Sequence, residues 1–210
     1  MARLLRINAS ARSQGSHSQE TADYFQSKWL EANPDGEIMV RNLARDTIPH
    51  IEEATIDGFY TPREQHDDRL RDATRLSDRL IEELMSADEI LISTPMYNFS
   101  VPSALKAYID QVVRIGYTFG FDEEKGLFGL VKGKRAYIVT ASGAVFSNGN
   151  LDAFNFLEPY IKALLSFLGF ENICFFSIEG TTVDEAALAR SREAARNDID
   201  ALFAEAPVSA

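Results

Sequence analysis

Arg3-Leu4-Leu5-Arg6-Ile7-Asn8 has the pattern of a short buried strand, and it runs directly into a polar loop at residues 9–15. A helical pattern follows at residues 18–31, with its apolar side chains on one stripe. The same order of strand, loop and helix recurs along the chain. We predict the later strands at residues 37–41, 89–93, 135–140 and 173–178, and the later helices from residue 61 through 84 and at 102–114, 154–170 and 182–205. Right-handed crossovers then predict a five-stranded parallel sheet with helices on both faces, the doubly wound α/β class with three α/β/α layers.

Two stretches interrupt this alternation. Residues 42–60 show no clear period, and we interpret them as an irregular excursion. Residues 117–121 and 126–130 flank an acidic turn and predict a small hairpin or a paired excursion. Thr61-Pro62-Arg63-Glu64 and Thr182-Val183-Asp184-Glu185 are both typical of helix starts, because each places a threonine cap before a glutamate in the first turn.

The composition is that of a globular protein, since 45% of the 210 residues are hydrophobic and 25% are charged. We expect a single domain at residues 1–205 and a frayed tail at 206–210. Lys and Arg number 21 against 32 Asp and Glu, and the net charge of −11 argues against nucleic-acid and anionic-membrane partners. No apolar run approaches the ~18 residues of a membrane span. The lone Cys174 cannot form an internal disulfide and no signal peptide is recognised, so we expect a cytoplasmic protein. His50 and His66 show no metal-ligand spacing, and no metal site is expected.

Doubly wound sheets bind ligands at the carboxyl ends of their strands, so the loops after the first, third and fourth strands are the candidate sites. The first loop, residues 8–19, holds four serine hydroxyls. Ser16 and Gln19 have the spacing of a capping box, and the helix mouth offers backbone N–H groups and a positive dipole end to an anion. Serine hydroxyls would complete a phosphate shell. The alternative is that these serines only cap the helix and form turns.

The second loop, Thr94-Pro95-Met96-Tyr97-Asn98-Phe99-Ser100-Val101-Pro102, is the most distinctive of the chain. Two prolines stiffen a segment that places methionine and aromatic groups past a strand end, which suits a flat heteroaromatic ligand. The alternative is that these side chains plug the end of the sheet. In the third loop, residues 140–146, Gly143 permits close backbone approach to a ligand, and a plain turn explains it equally well.

Several well-known sites are absent from the first loop. It contains neither the G-x-G-x-x-G of dinucleotide-binding folds nor the G-x-x-x-x-G-K-[ST] of P-loops. It has no cysteine that could serve a thiol phosphatase, and it lacks the G-x-S-x-G motif of the nucleophile elbow in serine hydrolases. A serine hydrolase using Ser10, Ser13 or Ser16 with His17 is kept as an alternative hypothesis.

At these three loops the sequence resembles the FMN-dependent NADH:azoreductase and quinone reductase family, flavodoxin-like enzymes of the bacterial cytoplasm. The resemblance covers nearly the whole chain in element order, and Pro95-Met96-Tyr97-Asn98-Phe99 is its most specific motif. It implies a sheet in the order 2-1-3-4-5, and it implies FMN as the cofactor. FMN is also favoured over FAD because the phosphate loop offers one anion site and no glycine fingerprint for a pyrophosphate.

By motif position, the resemblance assigns Ser10 and Ser16-His17-Ser18 to the FMN phosphate. It assigns Met96, Tyr97, Asn98 and Phe99 to the isoalloxazine ring, and Ala141, Ser142, Gly143 and Ala144 to the far edge of that ring. The last stretch is commonly Ser-Arg-Gly-Gly in the family, so the arginine is missing here while the glycine is retained. Phe119 stands where the family places an aromatic residue on the substrate side of the flavin.

The implied reaction is hydride transfer from NADH to a quinone or an aromatic azo compound, in two half-reactions through one site. The choice between NADH and NADPH stays open. The flavin carries the chemistry, so no side chain is nominated as an acid, base or nucleophile. The resemblance also implies a homodimer, and the predicted helix at 154–170, apolar on nearly every side, indicates an interface that it shares with the helix at 102–114. The other alternative is a flavodoxin-like electron carrier without a nicotinamide substrate.

Overall fold

The computed structural model describes residues 1–124, 126–149 and 151–204. Its strands are β1 Arg3–Asn8, β2 Glu37–Asn42, β3 Glu89–Pro95, β4 Phe119–Asp122, β5 Gly126–Gly129, β6 Arg135–Ala141 and β7 Asn172–Ile178. Its α-helices are α1 His17–Ala32, α2 Glu53–Tyr60, α3 Asp68–Ser86, α4 Ser103–Val112, α5 Leu157–Leu168 and α6 Glu185–Ala204. The predicted tail at 206–210 lies outside the described residues, as does Glu205.

The main sheet has five strands in the order β2-β1-β3-β6-β7, and every pair in it is parallel. Counted without the hairpin, this is the order 2-1-3-4-5, so the predicted sheet is confirmed. The remaining strands, β4 and β5, form the predicted antiparallel hairpin between α4 and β6. The order reverses between β1 and β3, which makes the carboxyl ends of these strands the expected ligand edge.

Alternating side chains of the central strands fill two hydrophobic cores, one on each face of the sheet. Leu5 and Ile7 point into the core shared with α3, α4 and α5, whereas Leu4 points into the core shared with α1 and α6. On the second face Trp29 is fully buried, and its indole N–H donates to the Glu89 carboxylate, which is also paired with Arg135. That bond anchors α1 to the amino end of β3.

The helix α2 corrects the prediction of an irregular excursion over residues 42–60. It begins with a capping box in which Glu52 and Thr55 exchange side-chain and backbone hydrogen bonds. Its centre contains Gly58, where an added Cβ would lie 2.5 Å from Thr74 Cγ2 on α3. The glycine lets the two helices approach closely, but it also breaks the apolar period that would have marked a helix in the sequence.

Several helix boundaries also differ from the predictions. Helix α3 begins at Asp68 rather than at residue 61, because Asp67 caps it by accepting from Leu70 N–H at 2.8 Å. Helix α6 begins after Asp184, which accepts from Ala187 N–H at 2.8 Å in place of the predicted Thr182 cap. Helix α5 spans only 157–168, so the helix predicted at 154–170 is shorter at both ends. Across the described ranges, none of the helices has the length and apolar character needed to cross a membrane.

Candidate functional site

The loops after β1, β3 and β6 meet at the carboxyl edge of the sheet. Ala9 N–H donates to Ser93 O at 2.8 Å, which ties the first loop to the end of β3. Met96 N–H donates to Ala141 O at 2.7 Å, which ties the second loop to the third. The structure therefore brings the three predicted loops together at one edge, where each follows a buried strand.

The mouth of α1 lies in the first loop. Ser16 occupies the N-cap position but its side chain makes no capping hydrogen bond, so the predicted capping box with Gln19 is wrong. Its hydroxyl lies 3.3 Å from Ser18 Oγ, and both serines are buried. The first hydrogen bond of the helix runs from Glu20 N–H to Ser16 O. The N–H groups of residues 17–19 therefore have no acceptor within the helix. The helix mouth thus combines uncapped N–H donors with two buried hydroxyls.

Ser10 and Gly15 shape the chain that leads to this mouth. Ser10 is buried, and its hydroxyl accepts from Arg12 N–H at 3.2 Å. Gly15 has a φ of 64°, in the left-handed region that glycine adopts without strain. These two residues turn the loop so that Ser16 follows directly at the helix mouth.

His17, the first residue of α1, contacts the last helix. Arg192 Nη2 lies 2.6 Å from His17 Nδ1 and donates to Glu20 Oε2 at 2.8 Å. Burial, together with the positive charges of Arg192 and Arg12, lowers the pKa of His17 below its ordinary value, although Glu20 acts in the opposite direction. The imidazole is therefore neutral near pH 7.

The second loop contains a tight turn at residues 97–100. Tyr97 N–H donates to Ser100 O at 3.0 Å, and Ser100 N–H donates to Tyr97 O at 3.1 Å. Between them Asn98 has a φ of 49° and Phe99 a φ of 70°, as in a type I′ turn. A left-handed phenylalanine is rare and strained, and such strain clusters at ligand sites.

Aromatic side chains surround this turn. The Phe99 ring lies 5.5 Å from the ring of Phe154 and 6.4 Å from that of Phe146, measured between centroids. Phe156 N–H donates to Phe99 O at 3.1 Å. Tyr97 and Phe99 nevertheless leave 39% and 47% of their surfaces exposed. The turn thus presents an apolar, ring-lined surface at the edge of the sheet, while Met96 behind it packs against the core.

The third loop is held from behind by the segment that follows β7. The N–H groups of residues 180–182 donate to the carbonyl oxygens of Ala144, Ser142 and Gly143 at 3.1–3.2 Å. An added Cβ at Gly143 would lie 2.9 Å from Thr182 Oγ1, so the glycine accommodates this close approach without moving the threonine side chain. The loop carries no arginine side chain, and its backbone is fixed by neighbouring backbone.

Glu179 fixes the next residues of the same loop. Its Oε1 accepts from Phe146 N–H at 2.9 Å and from Ser147 N–H at 3.1 Å. Behind these contacts lies a cavity of about 580 Å³, lined in part by Phe146, Glu158 and Arg190. Glu158 is itself held by hydroxyls of β6 and β7. Glu179 therefore fixes the backbone of the third loop at Phe146, whereas Glu158 joins β6 to β7.

Phe119 is not brought to this edge within the protomer. It begins β4, and its ring lies 5.1 Å from that of Phe167, near the end of α5. Helix α5 starts beside Phe99 and runs to the opposite edge of the sheet, where Leu168 O accepts from Val131 N–H. The other predicted residues lie at the carboxyl edge of the sheet, whereas Phe119 lies near the opposite edge of the same protomer.

Comparison with known proteins places this arrangement in a family. A family model for proteins of the flavodoxin-like fold matches residues 2–203. The chain belongs to this flavodoxin-like family. A protein of Hydrogenovibrio crunogenus named FMN-dependent NADH:quinone oxidoreductase is 44% identical over 199 residues, covering 95% of this chain and 98% of that protein. A protein of the same name from Xanthobacter autotrophicus is 48% identical over 175 residues, covering 82% and 84%.

A solved structure agrees on the flavodoxin-like fold. The FMN-dependent NADH-azoreductase of Bacillus anthracis, solved in complex with FMN, superposes with a TM-score of 0.85 at 24% identity, over 97% of this chain and 100% of that one. At this identity the likeness concerns the fold alone.

Sequence reasoning missed three parts of the site of this flavodoxin-like protein. Arg192 contacts His17 although the two are 175 residues apart in the sequence, and no local sequence pattern predicts that pairing. Glu179 and residues 180–182 support the third loop from beyond the fifth predicted strand. The one available signal for Glu179 and residues 180–182 was that they directly follow β7. The carboxyl end of β7 lies at the same sheet edge as those of β1, β3 and β6.

Proposed function

We propose that this protein is an FMN-dependent oxidoreductase that transfers hydride from NADH to quinones and to aromatic azo compounds. The observation that carries the proposal is the union, at one sheet edge, of an uncapped helix mouth and an exposed aromatic turn. The relatives named FMN-dependent NADH:quinone oxidoreductase, which align over nearly the whole chain, support the cofactor, the donor and the quinone. Azo compounds are included because the sequence resembles azoreductases at these loops. NADPH is included as an alternative hydride donor to NADH.

The residues at the helix mouth fit a phosphate group. A phosphate needs several donors, and the mouth offers the N–H groups of residues 17–19 with the hydroxyls of Ser16 and Ser18. Neither serine hydroxyl is used to cap the helix. Ser10 stands at the start of the same loop. We assign the FMN phosphate to this group, where the helix dipole also favours a negative charge.

The aromatic turn and the third loop fit a flat ring system. We assign Met96, Tyr97, Asn98 and Phe99 to one side of the ring and Ala141, Ser142, Gly143 and Ala144 to its far edge. In support of this assignment, the Met96 N–H to Ala141 O bond joins the two loops. The left-handed turn fixes the peptide N–H groups of Asn98 and Phe99 in one orientation, which suits recognition of polar atoms on a ring edge.

Bound FMN would supply the hydride-accepting and hydride-donating chemistry, which no amino-acid side chain can perform. The chain's own residues would bind the FMN, orient its ring and shield that ring from water. The serine-rich mouth fixes one end of the ligand, and Phe99 with its neighbouring rings excludes water from the other. NADH and the acceptor would use the same apolar surface in turn, so a ping-pong order follows, and no residue is assigned as an acid or base.

The purified protein is expected to contain FMN and to oxidise NADH with a quinone or azo acceptor. Mass spectrometry of the ligand released on denaturation identifies the cofactor. Initial rates at several fixed acceptor concentrations should give parallel double-reciprocal lines. FAD at stoichiometric occupancy, or flavin without NADH turnover, would contradict the proposal, the latter favouring an electron carrier. Intersecting lines would contradict the shared site alone.

A homodimer is part of the proposal. Phe154 and Phe156, just before α5, are 49% and 57% exposed, and Phe121 and Leu127 of the hairpin are 62% and 60% exposed. Such apolar surface usually marks an interface. The outer face of α5 itself is less apolar than predicted, since Lys162 and Ser166 point outward. The hairpin and the segment 152–156 are thus added to the predicted helices as candidate interface.

Sedimentation analysis at micromolar concentration is expected to give twice the 23.4 kDa chain mass. Because Phe119 lies at the far edge of its own protomer, a substrate-side role for it requires a neighbouring subunit. A double variant Phe121→Ser/Leu127→Ser should shift the protein toward monomer and lower quinone reduction. A wild-type monomer with full reductase activity would overturn the dimer and the role of Phe119.

We also propose that residues 1–205 act as one unit in the cytoplasm. The family model covers nearly all of that range. The only cysteine, Cys174, is half-buried on β7 and has no second cysteine to pair with, which suits a reducing compartment.

A further inference from the structure

Arg192 is the residue whose position the proposed chemistry does not explain. It lies in the middle of α6, yet its guanidinium reaches the first turn of α1, 2.6 Å from His17 Nδ1. The next arginine on the same face, Arg196, instead lies over the ring of Tyr24 at 5.1 Å. Only the first of these two arginines therefore acts on the helix mouth.

The contact determines which nitrogen of His17 carries the proton. A guanidinium donates hydrogen bonds and cannot accept them, and it keeps its proton at any ordinary pH. Nδ1 of His17 must therefore accept, so the ring is neutral with its proton on Nε2. Protonating Nδ1 would place two positive groups in direct contact.

Glu20 would favour a protonated His17 instead. Its Oε2 lies 3.9 Å from His17 Nδ1 and accepts from Arg192 at 2.8 Å. Without Arg192, the carboxylate would become the natural partner of a protonated Nδ1, and a nearby negative charge favours the imidazolium. Arg12 is the other charged group that acts on His17, and its positive charge opposes protonation. Arg192 thus decides between a neutral and a charged ring.

We propose that Arg192 is a positioning residue for the FMN phosphate, acting by holding His17 as the neutral Nε2–H tautomer at the mouth of α1. The inference rests on the proposed function, because it assigns the phosphate to that mouth. In a chain of net charge −11, Arg192 also places a permanent positive charge at the first turn of α1, where it contacts His17 and Glu20. Phosphate affinity then does not depend on the protonation of His17.

The experiment compares Arg192→Gln with Arg196→Gln, which removes the same charge one turn further along α6. Titrations of the flavin-free full-length protein measure affinity for FMN and for riboflavin, which lacks the phosphate, at pH 6 and pH 8. Nitrogen-15 NMR of histidine-labelled protein reports the tautomer and pKa of His17, assigned with His17→Gln. The phosphate's own second ionisation near pH 6 affects all variants alike and cancels in the comparison.

At pH 8, Arg192→Gln should weaken FMN binding roughly 3- to 10-fold, the loss of about one hydrogen bond. Riboflavin binding should not change, and Arg196→Gln should resemble the wild type. At pH 6 the deficit should shrink, because His17 in Arg192→Gln gains a proton beside Glu20, while the wild-type ring stays neutral.

Three results would overturn the inference: equal losses in the two arginine variants, an equal loss for riboflavin, or an unchanged His17 tautomer in Arg192→Gln. If Arg192→Gln does not fold, Arg192→Lys and Glu20→Gln report on the same contacts through the His17 spectrum, and an unaltered spectrum in both overturns it too. A wild-type protein that binds riboflavin and FMN equally would refute the phosphate role of the mouth. A wild type that binds neither flavin would refute the proposed function itself.

Discussion

Replacing Gly129 by alanine is expected to lower the free energy of unfolding by about 3 kcal/mol or more, the upper range for overpacking. Gly129 ends β5, and an added Cβ there would overlap the backbone of Leu168 and Gly169 at the end of α5. Backbone cannot turn aside as a side chain can, so the hairpin must separate from the helix. Urea denaturation followed by circular dichroism measures the change.

Gly133→Ala is the matched control for this substitution. Gly133 has a φ of 69° and nothing within 4 Å of its added Cβ, so alanine there introduces backbone strain without a clash. A loss of about 1 kcal/mol is expected at Gly133. If Gly129→Ala destabilised the protein no more than Gly133→Ala, the close packing of the hairpin on α5 would be refuted.

The double variant Ser16→Ala/Ser18→Ala is expected to weaken FMN binding by about 1–3 kcal/mol, roughly 5- to 150-fold. Each hydroxyl is expected to donate to the phosphate, and a charge-assisted bond would put the loss at the upper end. Neither hydroxyl caps α1, so little loss of stability should accompany the change. Fluorescence titration of the flavin-free protein gives the affinity.

Ser13→Ala is the control for the serine pair, because Ser13 lies in the same loop but is exposed. Riboflavin provides a second control, since it lacks the phosphate. Unchanged FMN affinity in the double variant would show that Ser16 and Ser18 only shape the turn. An equal loss for riboflavin would show that they act on the ring or on folding.

The sheet could be predicted because its strands are apolar and bounded by strong turn signals. Strand β3 is buried over 89–94, and its apolar run Ile90-Leu91-Ile92 is followed within three residues by a proline. Helix α2 could not be found in the same way, because Gly58 and the polar residues around it remove the periodic stripe. Helix α2 packs closely on Thr74 of α3 at Gly58, and sequence periodicity does not register such contacts between helices.

In the candidate site, too, the parts set by strand order could be predicted and the parts set by tertiary contacts could not. The serine loop and the aromatic motif could be predicted because both directly follow strands, and strand order fixes where strands end. The left-handed conformation of Phe99 could not be predicted, because nothing in the residue type favours it. The pairing of Arg192 with His17 depends on how α6 packs against α1, so it became visible only in three dimensions.

The burial of Trp29 has a practical consequence for spectroscopy. It is the only tryptophan in the chain, so the indole fluorescence of the protein comes from one ring in one environment. That ring donates its hydrogen bond to Glu89 at the amino end of β3, the edge opposite the candidate site. Unfolding would carry the indole from the interior into water and shift its emission to longer wavelength. The intrinsic signal therefore reports the integrity of the α1 side of the sheet without a label, at a position that none of the proposed variants changes.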